Sequence, residues 1–406
     1  MLSFAPSSVP ELHRYMQREV AAQRQAVAPL GGQTALRCGH PLRRQATELH
    51  LTGLHQVIDY PARDMTITVE AGLRVCDLQL ILTEERQRLA IDIPQASLAT
   101  IGGAIATNVS GSRRFGHGTF RDYLIGVTAI DGQGRLFSAG GRVVKNVAGY
   151  DLCKLLIGSL GTLGIITQVT LKLRPMPEQT QVVWLSFDNS DSVERALQRL
   201  VTTSTRPVAV DIYNPRGAER IADLSERKIP VGQHGVCLVF EGSEAEVRWQ
   251  VQAIQEELRA VRPLHEVVWN SVDSLVVLSA MTEFTATPED TFIVHLSVPP
   301  SQVTGFVSQL TLQGLVIQSH AANGIIHGIL PDRHSTREAL PVYWDKLRDM
   351  VAAVPGNASL SGGPESIREN AAVLGNRRED WSIMSGIRQA LDPYELLNPG
   401  RIRLRY

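Results

Sequence analysis

The sequence predicts an α+β protein of two main domains, and three observations carry that prediction. Two glycine-dense segments, Gly102 to Gly111 and Gly158 to Gly164, stand beside strand-like sequence, the second leading into the apolar run 165–173. A double-proline stretch, Arg174-Pro-Met-Pro177, then interrupts the chain. Beyond it the rhythm changes to strand–helix alternation, which reads as an antiparallel sheet with helices on one face.

The elements follow in order. Residues 10–26 carry Leu12, Tyr15, Met16 and Val20 at helical spacing. A Gly31-Gly32 loop follows, then short strands at 49–54, 57–59 and 65–70. Residues 73–88 are helical by the stripe Val75, Leu78, Ile81 and Leu82. Residues 124–130 and 136–138 form a hairpin around Asp131-Gly-Gln-Gly134, 151–157 a helix, and 165–173 a strand. After the prolines, strands are expected at 182–187, 208–212, 236–240, 291–298, 315–318 and 324–330, with helices at 190–201, 244–260, 301–310, 336–353 and 381–391.

With 406 residues, the chain has room for two or three domains at roughly 150 residues each. A formal net charge of −1 gives no global field toward nucleic acid or an anionic membrane. No apolar run reaches the roughly 18 residues of a membrane span, so no direct membrane insertion is expected. The N-terminus lacks the basic-then-apolar pattern of a secretory signal, which predicts a cytoplasmic protein. Cys38, Cys76, Cys153 and Cys237 are scattered, which argues against an iron–sulfur cluster or a structural zinc.

The bare backbone around Gly102, Gly103 and Gly111, with Thr107, Asn108 and Ser110 beside it, suits a polar, multiply charged, flat ligand such as a dinucleotide. No Gly-x-Gly-x-x-Gly follows a strand, and no Gly-Lys-Ser/Thr loop is present, so neither a Rossmann nicotinamide site nor a P-loop is indicated.

Six motifs occur in one order: Pro29-Leu-Gly-Gly-Gln-Thr34, Thr100-Ile-Gly-Gly103, Gly118-Thr-Phe-Arg-Asp122, Asn146-Val-Ala-Gly-Tyr-Asp-Leu152, Gly158-Ser-Leu-Gly-Thr-Leu-Gly164 and Leu397-Asn-Pro-Gly400. That order resembles the vanillyl-alcohol-oxidase (PCMH-type) FAD-linked oxidoreductases, and within them the FAD-binding subunits of glycolate oxidase/dehydrogenase. The resemblance implies a two-subdomain FAD domain over residues 1–176, an α+β, ferredoxin-like cap over 177–375, and a C-terminal segment, 376–406, returning to the FAD domain. It places Gly31, Gly32, Gln33 and Thr34 on the pyrophosphate, a use that suits the successive amides of a Gly-rich turn. Pro94, Thr100, Ile101, Gly102, Gly103, Ala106, Thr107, Asn108 and Gly111 would lie along pyrophosphate and flavin. Gly118, Arg121, Asp122, Gly161, Gly164 and Ile166 would flank adenosine and flavin. Gln33 and Thr34 stand where some relatives have a flavin-linked histidine, so non-covalent FAD is expected.

Members of this family that oxidise D-2-hydroxy acids carry a His-x-Gly-Asp-Gly-Asn-x-His segment and a later Glu-His-Gly, which hold a divalent metal and supply a base. Here the first reads His320-Ala-Ala-Asn-Gly-Ile-Ile-His327, and Gly363 and Pro364 fall where Glu and His belong. Two histidines without a carboxylate make a poor metal site, so no metal is assigned. His320 and His327, brought together by a turn at Asn323-Gly324, are either ordinary half-buried histidines, metal ligands, or direct contacts to flavin or substrate. His295 is a second-rank candidate. Asn398 either bonds flavin or substrate or terminates a helix, and Lys145 and Tyr150 either face the flavin or serve packing and ion pairing. The resemblance implies a 2-hydroxy acid substrate, a related flavin subunit and an iron–sulfur subunit, with peripheral membrane attachment through these partners. The alternatives are a self-sufficient FAD-linked D-lactate/2-hydroxy-acid dehydrogenase and a non-catalytic FAD-bound assembly subunit.

Overall fold

The computed structural model describes residues 2–141, 151–230, 232–288 and 290–404. Lys145, Tyr150 and most of the motif beginning at Asn146 lie outside them. The chain divides into two compact units: Met1–Ser110, Gly118–Met176 and Arg377–Tyr406 form the first, and Gly111–His117 with Pro177–Asn376 form the second. The contacts thus assign Gly111–His117, a stretch inside the first 176 residues, to the second unit.

In the first unit, β1 (Ser3–Phe4), β2 (Val27–Leu30) and β3 (Thr47–His50) make a parallel sheet in the order β1-β3-β2. The strands β4 (Val57–Asp59), β5 (Thr66–Glu70), β7 (Leu124–Ile130), β8 (Leu136–Gly140) and β9 (Ile165–Lys172) form an antiparallel sheet in the order β4-β5-β9-β7-β8. A short ribbon pairs β6 (Gln87–Arg88) with β10 (Arg174–Pro175). The helices are α1 (Val9–Tyr15), α2 (Val75–Glu84), α3 (Ile101–Thr107), α5 (Phe120–Tyr123) and α6 (Leu152–Leu156); α4 (Arg114–His117) belongs to the second unit.

The second unit contains β11 (Gln179–Phe187), α7 (Ser190–Val201), β12 (Ala209–Tyr213), α8 (Pro215–Ser225), β13 (His234–Gly242), α9 (Glu244–Leu258), β14 (His265–Val268), α10 (Ser271–Thr282), β15 (Phe292–Ser297), α11 (Val303–Leu312), β16 (Val316–His320), β17 (Ile325–Ile329), α12 (Ala339–Ala352), β18 (Asn357–Gly362) and α13 (Glu365–Arg368). Its strands form one sheet in the order β14-β11-β13-β12-β16-β17-β15-β18. Each half, β14-β11-β13-β12 and β16-β17-β15-β18, has the strand order of a ferredoxin-like motif, and antiparallel pairing of β12 with β16 joins the two. The C-terminal helix α14 (Trp381–Leu391) belongs to the first unit.

Strand residues alternate between two faces. Val183, Leu185, Val210, Ile212, Val294, Ile317 and Leu360 face one way and pack on α7, α9, α11 and α12. Val182, Trp184, Ala209, Tyr213 and Cys237 face the other way and meet α8 and α10, with Trp184 stacked on Tyr213 at 5.1 Å. Helices therefore cover both faces of the first half, which corrects the one-face expectation: α8 and α10 were not anticipated. No helix among the described residues is long and apolar enough to cross a membrane.

Candidate functional site

In the first unit, three glycine segments and the C-terminal turn line one cleft. Its first wall, Gly31 to Thr34, follows β2. A Cβ on Gly31 would meet Thr100 Oγ1 at 2.1 Å, and one on Gly32 would meet the Leu98 carbonyl oxygen at 1.7 Å. These glycines are therefore set by close approach to the next wall, which no larger residue permits. Gln33 adopts φ +60, and the amides of Gly32, Gln33 and Thr34 donate to no protein acceptor in the structure. Successive unengaged amides beside a left-handed residue form a nest for an anion, which fits the diphosphate of FAD.

The second wall corrects the sequence reading. Residues 101–107 are helix α3 rather than an open loop, with Thr100 as N-cap accepting from Gly103 N at 3.3 Å. Gly102 N donates to the Ala71 carbonyl at 2.7 Å and Ala104 N to that of Thr100 at 2.9 Å, so these amides serve the protein. This wall offers the cleft a smooth surface of Gly102, Gly103, Ala106 and Thr107 rather than a row of donors.

The third wall hangs from the end of α3: Gly158 N donates to Ile105 and Leu160 N to Ala106, at 3.0 and 2.8 Å. Leu160 (φ +51) and Gly161 (φ +66) turn it into the cleft. Asn398, itself at φ +44, donates from Nδ2 to the Leu160 carbonyl at 2.8 Å and from its backbone to Val27 at 2.9 Å. Its side chain thus ties the C-terminal turn to the third wall, a positioning job. Arg401, which by sequence is either solvated surface charge or a partner of cofactor phosphate, also lines the cleft and donates to the Leu36 carbonyl at 2.6 Å. Gly164 and Ile166 complete the lining.

The remaining expected cofactor residues lie elsewhere. Ile101 is fully buried in the core. Asn108 is the left-handed C-cap of α3, at φ +53. Asp122 closes a capping box with Thr119 on α5, and Gly118, at φ +87, makes room for that carboxylate. Arg121 is exposed on the same helix, Pro94 sits in the turn before α3, and Gly111 belongs to the second unit.

In the second unit, a polar row crosses the sheet on the face opposite α11 and α12. Register places Tyr213 opposite Gln318, Gln318 opposite His327, and His327 opposite His295; Asp211 stands opposite His320. The turn Ala321–Asn323 with Gly324 at φ +70 brings His320 and His327 onto that one face, their rings 5.0 Å apart. His320 Nδ1 lies 2.9 Å from Asp211 Oδ1. His327 Nδ1 lies 2.8 Å from His295 Nδ1, and His295 Nε2 lies 2.7 Å from Ser361 Oγ. Loss of water around His295 lowers its pKa to about 4. The same desolvation, then the nearby His320, His295 and Arg114, holds His327 well below the usual histidine range. Among the described residues, neither His320 Nε2 nor His327 Nε2 has a hydrogen-bond partner. Asp211, Ser361 and Gln318 were not anticipated.

The structure also explains the missing carboxylate. Gly363 adopts φ +71, and a Cβ there would meet the Phe292 ring at 2.2 Å, so no side chain fits. Among the described residues, no group of three or more His, Cys, Asp or Glu is arranged to hold a metal ion.

Comparison with known proteins agrees with this architecture. The chain is 26% identical to D-2-hydroxyglutarate dehydrogenase of Xanthomonas citri pv. viticola (strain LMG 965 / NCPPB 2475 / ICMP 3867 / CFBP 7660), over 98% of this chain and 88% of that one. It is 23% identical to glycolate oxidase subunit GlcD of Bacillus subtilis (strain 168), with the same two coverages. Against glycolate oxidase subunit GlcE of Escherichia coli (strain K12), identity is 32% over 38% of this chain and 43% of that one. Its fold is similar to that of alkyldihydroxyacetonephosphate synthase, with a TM-score of 0.65 at 17% identity, covering 98% of this chain and 75% of that one. The family model "FAD binding domain" matches residues 3–140, and "FAD linked oxidases, C-terminal domain" matches 176–402. A cleft with unengaged amides for a diphosphate, followed by a double ferredoxin-like unit carrying a histidine row, is thus explained by descent: the chain belongs to the FAD-linked oxidases.

Proposed function

We propose that this chain is the FAD-binding subunit of a glycolate (D-2-hydroxy acid) dehydrogenase complex, converting a 2-hydroxy acid to a 2-oxo acid. The observation that carries the reading is the pair His320 and His327, adjacent on one sheet face with unpartnered Nε2 atoms. Such a pair addresses a hydroxyl group, and bound FAD supplies the hydride acceptor. The cleft's free amides would hold the diphosphate without a covalent link.

Two observations support a multi-subunit setting. The chain is similar to two differently named glycolate oxidase subunits, GlcD of Bacillus subtilis and GlcE of Escherichia coli. The four cysteines are scattered through the sequence with no Cys-x-x-Cys pair, so electrons leaving the flavin need another protein, for which an iron–sulfur subunit is the fitting class. Attachment to a membrane would then come through partners.

The test is purification from the native source with flavin and iron analysis. A second flavin chain and an iron-containing chain should accompany this one. Isolation of this chain alone, with full turnover of a 2-hydroxy acid, would favour a self-sufficient dehydrogenase.

A further inference from the structure

The expected base of the family's hydroxy-acid chemistry is absent at Gly363-Pro364, yet one histidine in the second unit is held as a base is held. Asp211 lies at the join of the two ferredoxin-like halves, on β12, directly opposite His320 on β16. Its Oδ1 faces His320 Nδ1 at 2.9 Å. Ser112 Oγ, Tyr213 Oη and Gln318 Nε2 donate to Oδ2 at 2.6, 3.1 and 3.1 Å. Asp211 is fully buried and fixed by four groups from three separate stretches of chain.

A carboxylate surrounded by donors only accepts, so the proton between the pair sits on His320 Nδ1. His320 Nε2 then presents a lone pair, and it has no protein partner. Against this ring lie Asp211 of β12 and, 5.0 Å away, the His327 ring of β17; Tyr213 and Gln318 reach it only through their bonds to Asp211. Behind His327 stand His295 and Arg114 of α4. Asp211 supplies the compensating negative charge, and it is hydrogen-bonded to His320 rather than to His327. Of the two rings, His320 is thus the one held against a carboxylate, whereas His327 has two histidines and an arginine as neighbours.

We propose that His320 accepts the hydroxyl proton of a 2-hydroxy acid, that Asp211 is the positioning residue fixing its tautomer, and that neutral His327 hydrogen-bonds the same oxygen. This rests on the reading of the preceding subsection. In the step, the O–H bond breaks and its proton bonds to His320 Nε2. FAD, when bound, would supply the acceptor for the C2–H electron pair, and a C2=O double bond would form. The substrate would lose two electrons, the flavin would take them up, and the proton on His320 would return to water.

The experiment has two readouts on the flavin-loaded chain with its partners. Long-range nitrogen–proton NMR on histidine-labelled protein reports the tautomer. His320 should be protonated at Nδ1 in the wild type and shift to Nε2 in Asp211→Asn, whose amide can donate to Nδ1. Anaerobic flavin reduction by a 2-hydroxy acid should slow by about a hundredfold or more in Asp211→Asn and His320→Gln. An Nε2–H tautomer in the wild type, or unslowed reduction in correctly folded His320→Gln, would overturn the assignment. If no 2-hydroxy acid reduces the wild-type flavin, the functional reading fails, while the tautomer still decides whether the dyad is built as described.

Discussion

Gly32 shows how tightly single residues define the cofactor cleft. Alanine there would place a methyl group 1.7 Å from the Leu98 carbonyl oxygen, so the backbone has to move. Gly32→Ala should lose about 1–3 kcal/mol and release much of its flavin, read as a lowered melting temperature and a reduced flavin-to-protein ratio. His295 makes a pH prediction. Its folded pKa of about 4 lies below the ordinary 6.5, so the unfolded chain binds the extra proton between those values. Its contribution is fully present above about pH 6.5 and is lost as pH falls toward 4, by at most ~3 kcal/mol. Denaturant midpoints at neutral and mildly acidic pH should show this slope, and His295→Gln should reduce it, leaving the part that buried His327 contributes. The cleft glycines were legible in the sequence because a backbone that tolerates no Cβ must be written with Gly. Asp211 was not legible: its partner His320 is 109 residues away, and no spacing rule links two strands that meet only through the join of two halves.

At the scale of elements, α3 is the least expected. Two glycines in a short helix each cost roughly 1 kcal/mol relative to alanine, which is why the segment read as a loop. Tertiary contact overrides that propensity: a Cβ on Gly102 would meet the Ala71 Cβ at 2.7 Å, so the helix packs where only glycine allows. The helices α8 and α10 were missed although both carry start signals, Asn214 before Pro215 and Asn270 capping Asp273 N. The apolar residues of α10 lie all around it, with Val272 and Leu275 exposed, so its pattern shows little periodicity. The segment Gly111–His117 is held by Glu241 of β13, which pairs with Arg113 at 2.8 Å and His117 at 2.7 Å. Glu241→Ala should cost about 3–5 kcal/mol, because it removes the buried carboxylate that both side chains reach. Limited proteolysis should then cut within 111–117, whereas an unchanged digestion pattern would show that other contacts hold the segment.

For the whole molecule, the order of motifs was readable because each glycine-rich wall leaves its own signature, and strand–helix alternation announced the second unit. The doubling of the ferredoxin-like motif was not, since the two halves share topology without visible repetition in sequence. The C-terminal segment closes the first unit: Val27 N donates to Leu396 at 2.8 Å, Asn398 N to Val27 at 2.9 Å, and Leu396 and Leu397 are buried beside Leu49 and Ile130. Removing residues 377–406 should therefore abolish flavin retention, although that segment carries only the last of the six motifs; a truncated chain purifying with full flavin would refute this. The central claim, that the chain serves flavin-linked oxidation of a 2-hydroxy acid, is tested most directly by anaerobic mixing of the flavin-loaded protein and its co-purifying partners with glycolate, D-lactate and D-2-hydroxyglutarate in turn. Bleaching of the visible flavin absorbance by at least one of them, with formation of the matching 2-oxo acid, is the predicted result. A flavin that dithionite reduces but none of the three acids does would contradict the account.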